Sequence, residues 1–283
     1  MPSILVYISA FLFYALVGWY FWRSRWKNQS ISPKAKADIN APSIATWEHF
    51  LILIPLTLHG FILYQSIFVN DGLSFGVGNA ISSIVWLTAL IYWFSGFFSR
   101  LQELQNLIAP IAMVAAIAVW LPLVLPSLRP LANTELPAFK AHLLIALLAY
   151  SLLTIAALHA ILMTILEYRL HHPAMSRMLM NLPPLLVMEK MLFRIIWAGF
   201  ILLTLTLFSG IIFSQEVFGQ SVTFSHKTLF SFISWGVFAA LLIGRHFYGW
   251  RGRTAIRWTL TGFTILLLAY IGSKFVLEII LQR

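Results

Sequence analysis

The stretch AHLLIALLAYSLLTIAALHAILMTI, residues 141–165, is apolar for its whole length apart from scattered hydroxyls and two histidines. A helix rises 1.5 Å per residue, so about 20 such residues cross a hydrocarbon core of ~30 Å. In lipid every backbone N–H and C=O must be satisfied internally, which leaves helices or closed barrels. Barrel strands alternate apolar and polar positions over about 10 residues. No such alternation runs through this stretch, and it reads as a transmembrane helix.

Similar blocks recur at about 3–22, 48–68, 80–98, 107–126, 195–214, 229–245 and 258–279, which predicts eight spans in all. Composition agrees: the 283 residues are 60% hydrophobic and only 10% charged, with mean hydropathy +0.86. A water-exposed domain carries about 25% charged residues. The expectation is an all-α, polytopic membrane bundle forming a single integral membrane domain over residues 1–283.

The net charge of +10 lies in short loops between apolar blocks. That is a topology signal, and there is neither a basic tract nor a nucleic-acid fold motif. With the N-terminus outside, the cytoplasmic segments hold fourteen Lys and Arg, among them Arg23, Arg25, Arg100, Arg169, Arg245 and Arg253. Five remain outside: Arg129, Lys140, Lys227, Lys274 and Arg283. The positive-inside rule therefore predicts both termini on the outer face. Met1 to Trp22 lacks a positive start and ends in Arg23-Ser24-Arg25, so it reads as a retained first span. The segment Pro183 to Arg194 reads as a short interfacial helix ahead of the sixth span. Cysteine is absent, which removes thiolate metal sites and thiol redox chemistry from this chain.

The histidines carry the chemistry. His49, His171, His172 and His246 fall near the cytoplasmic face and read as interfacial polar residues. His59 and His159 lie within spans, where a neutral imidazole hydrogen-bonded to a neighbouring helix is the ordinary role. His142 and His226 fall at the outer ends of two spans, each beside a lysine, in Lys140-Ala-His142 and His226-Lys227. Neutral imidazole is an axial ligand of haem iron, and lysines pair with carboxylates such as propionates. The alternative is two unrelated rim histidines. No Gly-rich phosphate loop, His-Glu-x-x-His or nucleophile elbow is present, so the expectation is a protein without enzymatic activity. A channel or transporter would need more polar groups along a mid-membrane path.

The run Ser225-His226-Lys227-Thr228-Leu229-Phe230-Ser231-Phe232-Ile233-Ser234-Trp235-Gly236-Val237-Phe238-Ala239 resembles cytochrome c assembly proteins of the CcsA/CcmC type. In those proteins a W-D-P-K-E-T-W segment leads into a span reading F-I-T-W-x-x-F-A. Lys140-Ala-His142 through Tyr150-Ser151 resembles their outer histidine and the span it opens. Gly249-Trp250-Arg251-Gly252-Arg253 and Tyr270-Ile271-Gly272-Ser273 look like their cytoplasmic loop and last span. The resemblance covers about residues 50–280 and is nearest to the eight-span subgroup called YpjD-like or HemX-like.

It implies a multi-pass protein of the bacterial inner membrane, in a lipid bilayer, that handles haem near the outer face, with partners among membrane or cytochrome-maturation proteins. His142 and His226 would ligate iron, Lys140 and Lys227 would take propionates, and Trp235 would stack near the ring. His59 is a looser candidate for binding the cofactor. Phe224-Ser225-His226-Lys227 stands where the family has W-D-P-K, and Gly272-Ser273-Lys274-Phe275 occupies the neighbourhood of its second outer histidine. Those departures support the other reading, an accessory or regulatory membrane subunit that kept the fold and lost the cofactor.

Overall fold

The structure is a computed structural model that describes residues 3–23, 46–69, 72–98, 107–126, 136–170, 184–218 and 226–269. Ten helices follow in order among these residues: α1 (Ile4–Phe21), α2 (Thr46–Phe50), α3 (Leu53–Ile67), α4 (Val77–Ser95), α5 (Ile108–Ala118), α6 (Leu121–Val124), α7 (Pro137–Leu170), α8 (Leu185–Phe218), α9 (His226–Tyr248) and α10 (Gly252–Leu267). Among the described residues, six apolar stretches are long enough to cross a membrane: Ile4–Phe21, Glu48–Ile67, Val77–Ser95, Pro137–Tyr168, Leu185–Ile212 and Lys227–Tyr248. The shorter α5–α6 and α10 lie where the remaining two spans are expected. Residues 270–283, where the eighth span was expected to end, are outside the described residues, as are His171, His172 and most of the loop 23–47.

Helices that are apolar all round cannot be sorted by a polar stripe, and α1 shows what sorts them instead. Its buried face is Tyr7, Ala10, Tyr14, Val17, Gly18 and Phe21, while Ile4, Leu5, Leu12, Leu16 and Trp19 face outward. Lipid solvates leucine as well as protein does, so small and hydrogen-bonding residues gather inside. Serine, tyrosine and tryptophan then tie neighbouring helices. Trp86 Nε1 donates to the Leu56 carbonyl (2.8 Å), Tyr150 to Leu266 (3.2 Å) and Ser234 Oγ to Gly262 (2.8 Å).

The break between α5 and α6 has a local cause. The amide that would meet the Ala118 carbonyl belongs to Pro122, which has no N–H. Ser82 Oγ donates to that carbonyl instead, at 2.9 Å. Ser82→Ala should therefore cost about 1–2 kcal/mol, the upper end for interhelical hydrogen bonds in membranes. Thr164→Ala should cost close to nothing, because its hydroxyl only doubles a bond to Ala160 on its own helix. Thermal unfolding in detergent checks the pair, and equal losses would contradict the assignment.

Two details depart from the sequence expectations. A two-residue antiparallel ladder pairs Phe68 with Leu73 and Val69 with Gly72. Asn79 Nδ2 clamps it by donating to the carbonyls of Ser66 (3.1 Å) and Ser74 (2.7 Å). The short interfacial helix expected over 183–194 is not a separate element, because α8 runs unbroken for 34 residues from Leu185. Glu189 can remain in that helix because its charge is met. Arg245 Nη1 lies 2.7 Å from Glu189 Oε1, close enough for an ion pair although off the line of a hydrogen bond. Glu189 Oε2 accepts from the Gly252 amide at 3.1 Å.

Candidate rim site at the ends of α7, α8 and α9

The start of α7, the end of α8 and the start of α9 converge at one end of the bundle. His142, in the second turn of α7, is half-buried. Its Nδ1 lies 2.8 Å from Ser209 Oγ on α8. The adjacent Gly210 lies against the ring edge, and a Cβ added there would stand 3.4 Å from His142 Cε1. Lys227, the second residue of α9, is exposed and within electrostatic reach of His142. Lys140 is exposed two residues before His142 on the same helix. His226 opens α9 beside Lys227, and its side chain lies outside the described residues.

Trp235 lies eight residues into α9 from Lys227, a descent of about 12 Å at 1.5 Å per residue. Its Nε1 donates to Thr204 Oγ1 at 3.0 Å, and one ring face stacks on Phe200 with centroids 5.6 Å apart. It belongs to the α8–α9 packing beneath the rim. The structure thus gathers His142, Lys140, Lys227 and the backbone of His226, with Trp235 two turns below.

His59 is elsewhere, fully buried among α1, α3, α4 and α5. Its hydrogen bonds leave no nitrogen to spare. Ser82 spends its one hydroxyl proton on Ala118, so at the 2.8 Å contact it must accept from His59 Nε2–H. His59 Nδ1 is then the acceptor facing the Tyr14 hydroxyl, at 3.4 Å. His159 is likewise fully buried and donates from Nε2 to the Met188 carbonyl at 2.9 Å. Both act as hydrogen-bonded imidazoles between helices. Of the remaining histidines, His49 stacks on Trp93 with centroids 5.8 Å apart, and His246 is exposed.

Ser209 and Gly210 were not among the expected site residues. The signal was present, since they stand as a serine and a glycine between Leu207-Phe208 and Ile211-Ile212. Nothing in the sequence tied that interruption to His142, which lies on another helix.

Residues 47–281 match the family described as cytochrome C assembly protein. The inner membrane protein YpjD of Escherichia coli is 35% identical over 144 residues, which cover 51% of this chain and 54% of YpjD. The cytochrome c biogenesis protein CcsA of Prochlorococcus marinus is 38% identical over 88 residues, 31% of this chain and 28% of CcsA. The match therefore spans about half the length of YpjD and less of CcsA. No solved structure matches. With its helical bundle and a family match over most of its length, the chain belongs to the cytochrome c assembly protein family, as a multi-pass protein of the bacterial inner membrane.

Proposed function

We propose that the chain handles haem for cytochrome c biogenesis, holding it at the rim of α7, α8 and α9 with His142 as an axial ligand to iron. The observation that carries this reading is the convergence of His142 and Lys227 from two separate spans at one end of the bundle. The donor set suits haem better than a bare cation. Among the described residues no three His, Asp or Glu side chains gather as a metal-ion site. Porphyrin already supplies four nitrogens to its iron and asks the protein for only one or two axial ligands.

His226 is the proposed second ligand, and Lys140 and Lys227 meet the propionates through charge-assisted hydrogen bonds. Trp235 contributes aromatic lining two turns below. Bound haem supplies a redox-active iron, and the chain's part is to bind and orient it. No enzymatic step is assigned to this protein's own side chains, and its partners are other membrane or cytochrome-maturation proteins.

The protein purified from cells supplied with haem should show a Soret band. His142→Ala should abolish most of it, and His226→Ala should weaken it. A wild type without Soret absorbance, or a band unchanged in the double variant, would overturn the reading. That outcome favours an accessory subunit that kept the fold and lost the cofactor, a reading supported by Phe224-Ser225-His226-Lys227 at the position of the family's W-D-P-K.

A further inference from the structure

We infer that Ser209 is a positioning residue for the haem ligand: it fixes His142 in the tautomer that carries its proton on Nδ1 and its free lone pair on Nε2. The inference rests on the haem reading of this rim and concerns a residue on a different helix from either proposed ligand.

One arrangement of the protons leaves Nε2 of His142 able to bind iron. Ser209 has one O–H and two lone pairs. Its Oγ lies 3.1 Å from the Thr206 carbonyl, which accepts the hydroxyl proton in the arrangement we infer. At the 2.8 Å contact with His142 Nδ1, Ser209 Oγ is then the acceptor and Nδ1–H the donor. The proton of a neutral imidazole is thereby placed on Nδ1, leaving Nε2 with the lone pair. His59 meets a serine as well, but through Nε2, with its Nδ1 facing Tyr14. The two histidines differ in what they can offer an iron, and the difference comes from which nitrogen meets the serine.

The same contact sets ring orientation. Gly210 brings no side chain against the Cε1 edge of the imidazole. Ser209 and Gly210 together form a notch on α8 in which the ring of an α7 residue is seated. A hydrogen bond from Nδ1–H to an acceptor also makes the opposite nitrogen a stronger donor to metal, and loss of such outer partners typically weakens binding by about 10–100-fold.

The test uses the full chain in detergent. Haemin is titrated into wild type, Ser209→Ala and Ser209→Thr while the Soret band is followed, and the reduction potential of the bound haem is measured in each. Ser209→Ala should raise the haemin Kd by about 10-fold or more. It should also raise the potential, because a less basic ligand stabilises ferric iron less. Ser209→Thr, which keeps the hydroxyl, should restore both. Alanine suits a helix at least as well as serine, so the variant is expected to fold. If Ser209→Ala binds haemin with unchanged Kd and potential, the positioning role is wrong while the haem reading stands. If it only lowers thermal stability and leaves the potential of bound haem unmoved, Ser209 is structural and the inference fails. If wild type takes up no haemin, both fall together.

Discussion

Gly78→Ala is expected to destabilise the bundle by about 3 kcal/mol, the upper end of the usual overpacking cost. Gly236→Ala, the same change in another span, should be neutral or stabilising by up to about 1 kcal/mol. Gly78 stands in the first turn of α4, where the chain passes the ends of α6. A Cβ there would fall far inside contact distance of the backbone oxygens of Leu121 and Leu125. Those oxygens belong to a helix end and cannot rotate away as a flexible side chain would, so α4 or α6 must shift. Around Gly236 nothing lies within 4 Å of the added carbon, and only the helix-propensity gain remains. Thermal unfolding of the two variants in one detergent, followed by tryptophan fluorescence, should give midpoints displaced in different directions. Midpoints displaced equally would show that the α4–α6 contact is not made.

Removing Glu189 should have a comparable effect for an electrostatic reason. Glu189 is 6% exposed, and it joins α8 to the turn between α9 and α10. Arg245 approaches it at 2.7 Å, Arg251 at 3.9 Å, and the Gly252 amide donates to it. Gly249 and Gly252 have φ of +65° and +52°, which lets the turn fold back so tightly. Arg245 also donates to the Trp250 carbonyl and lies over the Phe193 ring, which keeps its charge beside the carboxylate.

Glu189→Ala leaves the partly buried guanidinium without its carboxylate and the Gly252 amide without its acceptor, which should cost about 3 kcal/mol, the lower end for breaking a buried pair. Most of that is the penalty of the unpaired charge. The double variant Glu189→Met with Arg245→Met should therefore be more stable than either single variant. Additive losses in the double variant would mean the pair is solvated and carries little. A second pair, Arg253 Nε to Glu167 Oε1 at 2.7 Å, is more exposed and should cost under 1 kcal/mol when broken.

The rim site was legible in part. His142, Lys140, His226 and Lys227 drew attention because each histidine stands beside a lysine at the outer end of an apolar block, a pattern that two unrelated rim histidines would also give. Positive-inside counting placed both pairs on one face, and the helices bring His142 and Lys227 to one end. Trp235 stood out for its match to the family's motif, but its indole is occupied with Thr204 and Phe200. His59 was a looser ligand candidate through the family resemblance, while its mid-span position pointed to a hydrogen-bonded imidazole. Its partners are Ser82 and Tyr14, residues 23 and 45 positions away in the sequence. Such partners leave no periodic trace, because any of several serines or tyrosines could have faced it.

Hydropathy alone determined that this chain is a helical membrane bundle and where its long apolar helices fall. The reason is that lipid enforces local satisfaction of the backbone, so each span is decided by its own residues. The tertiary structure decided which imidazoles are engaged and which groups they meet on neighbouring helices. It also decided that the stretch from Leu185 continues as α8 past a buried glutamate. These outcomes depend on single hydrogen bonds and ion pairs between distant helices. In a bundle whose surfaces are all apolar, hydrophobic pattern cannot say which faces meet. Packing of small residues and a few interhelical hydrogen bonds make that choice.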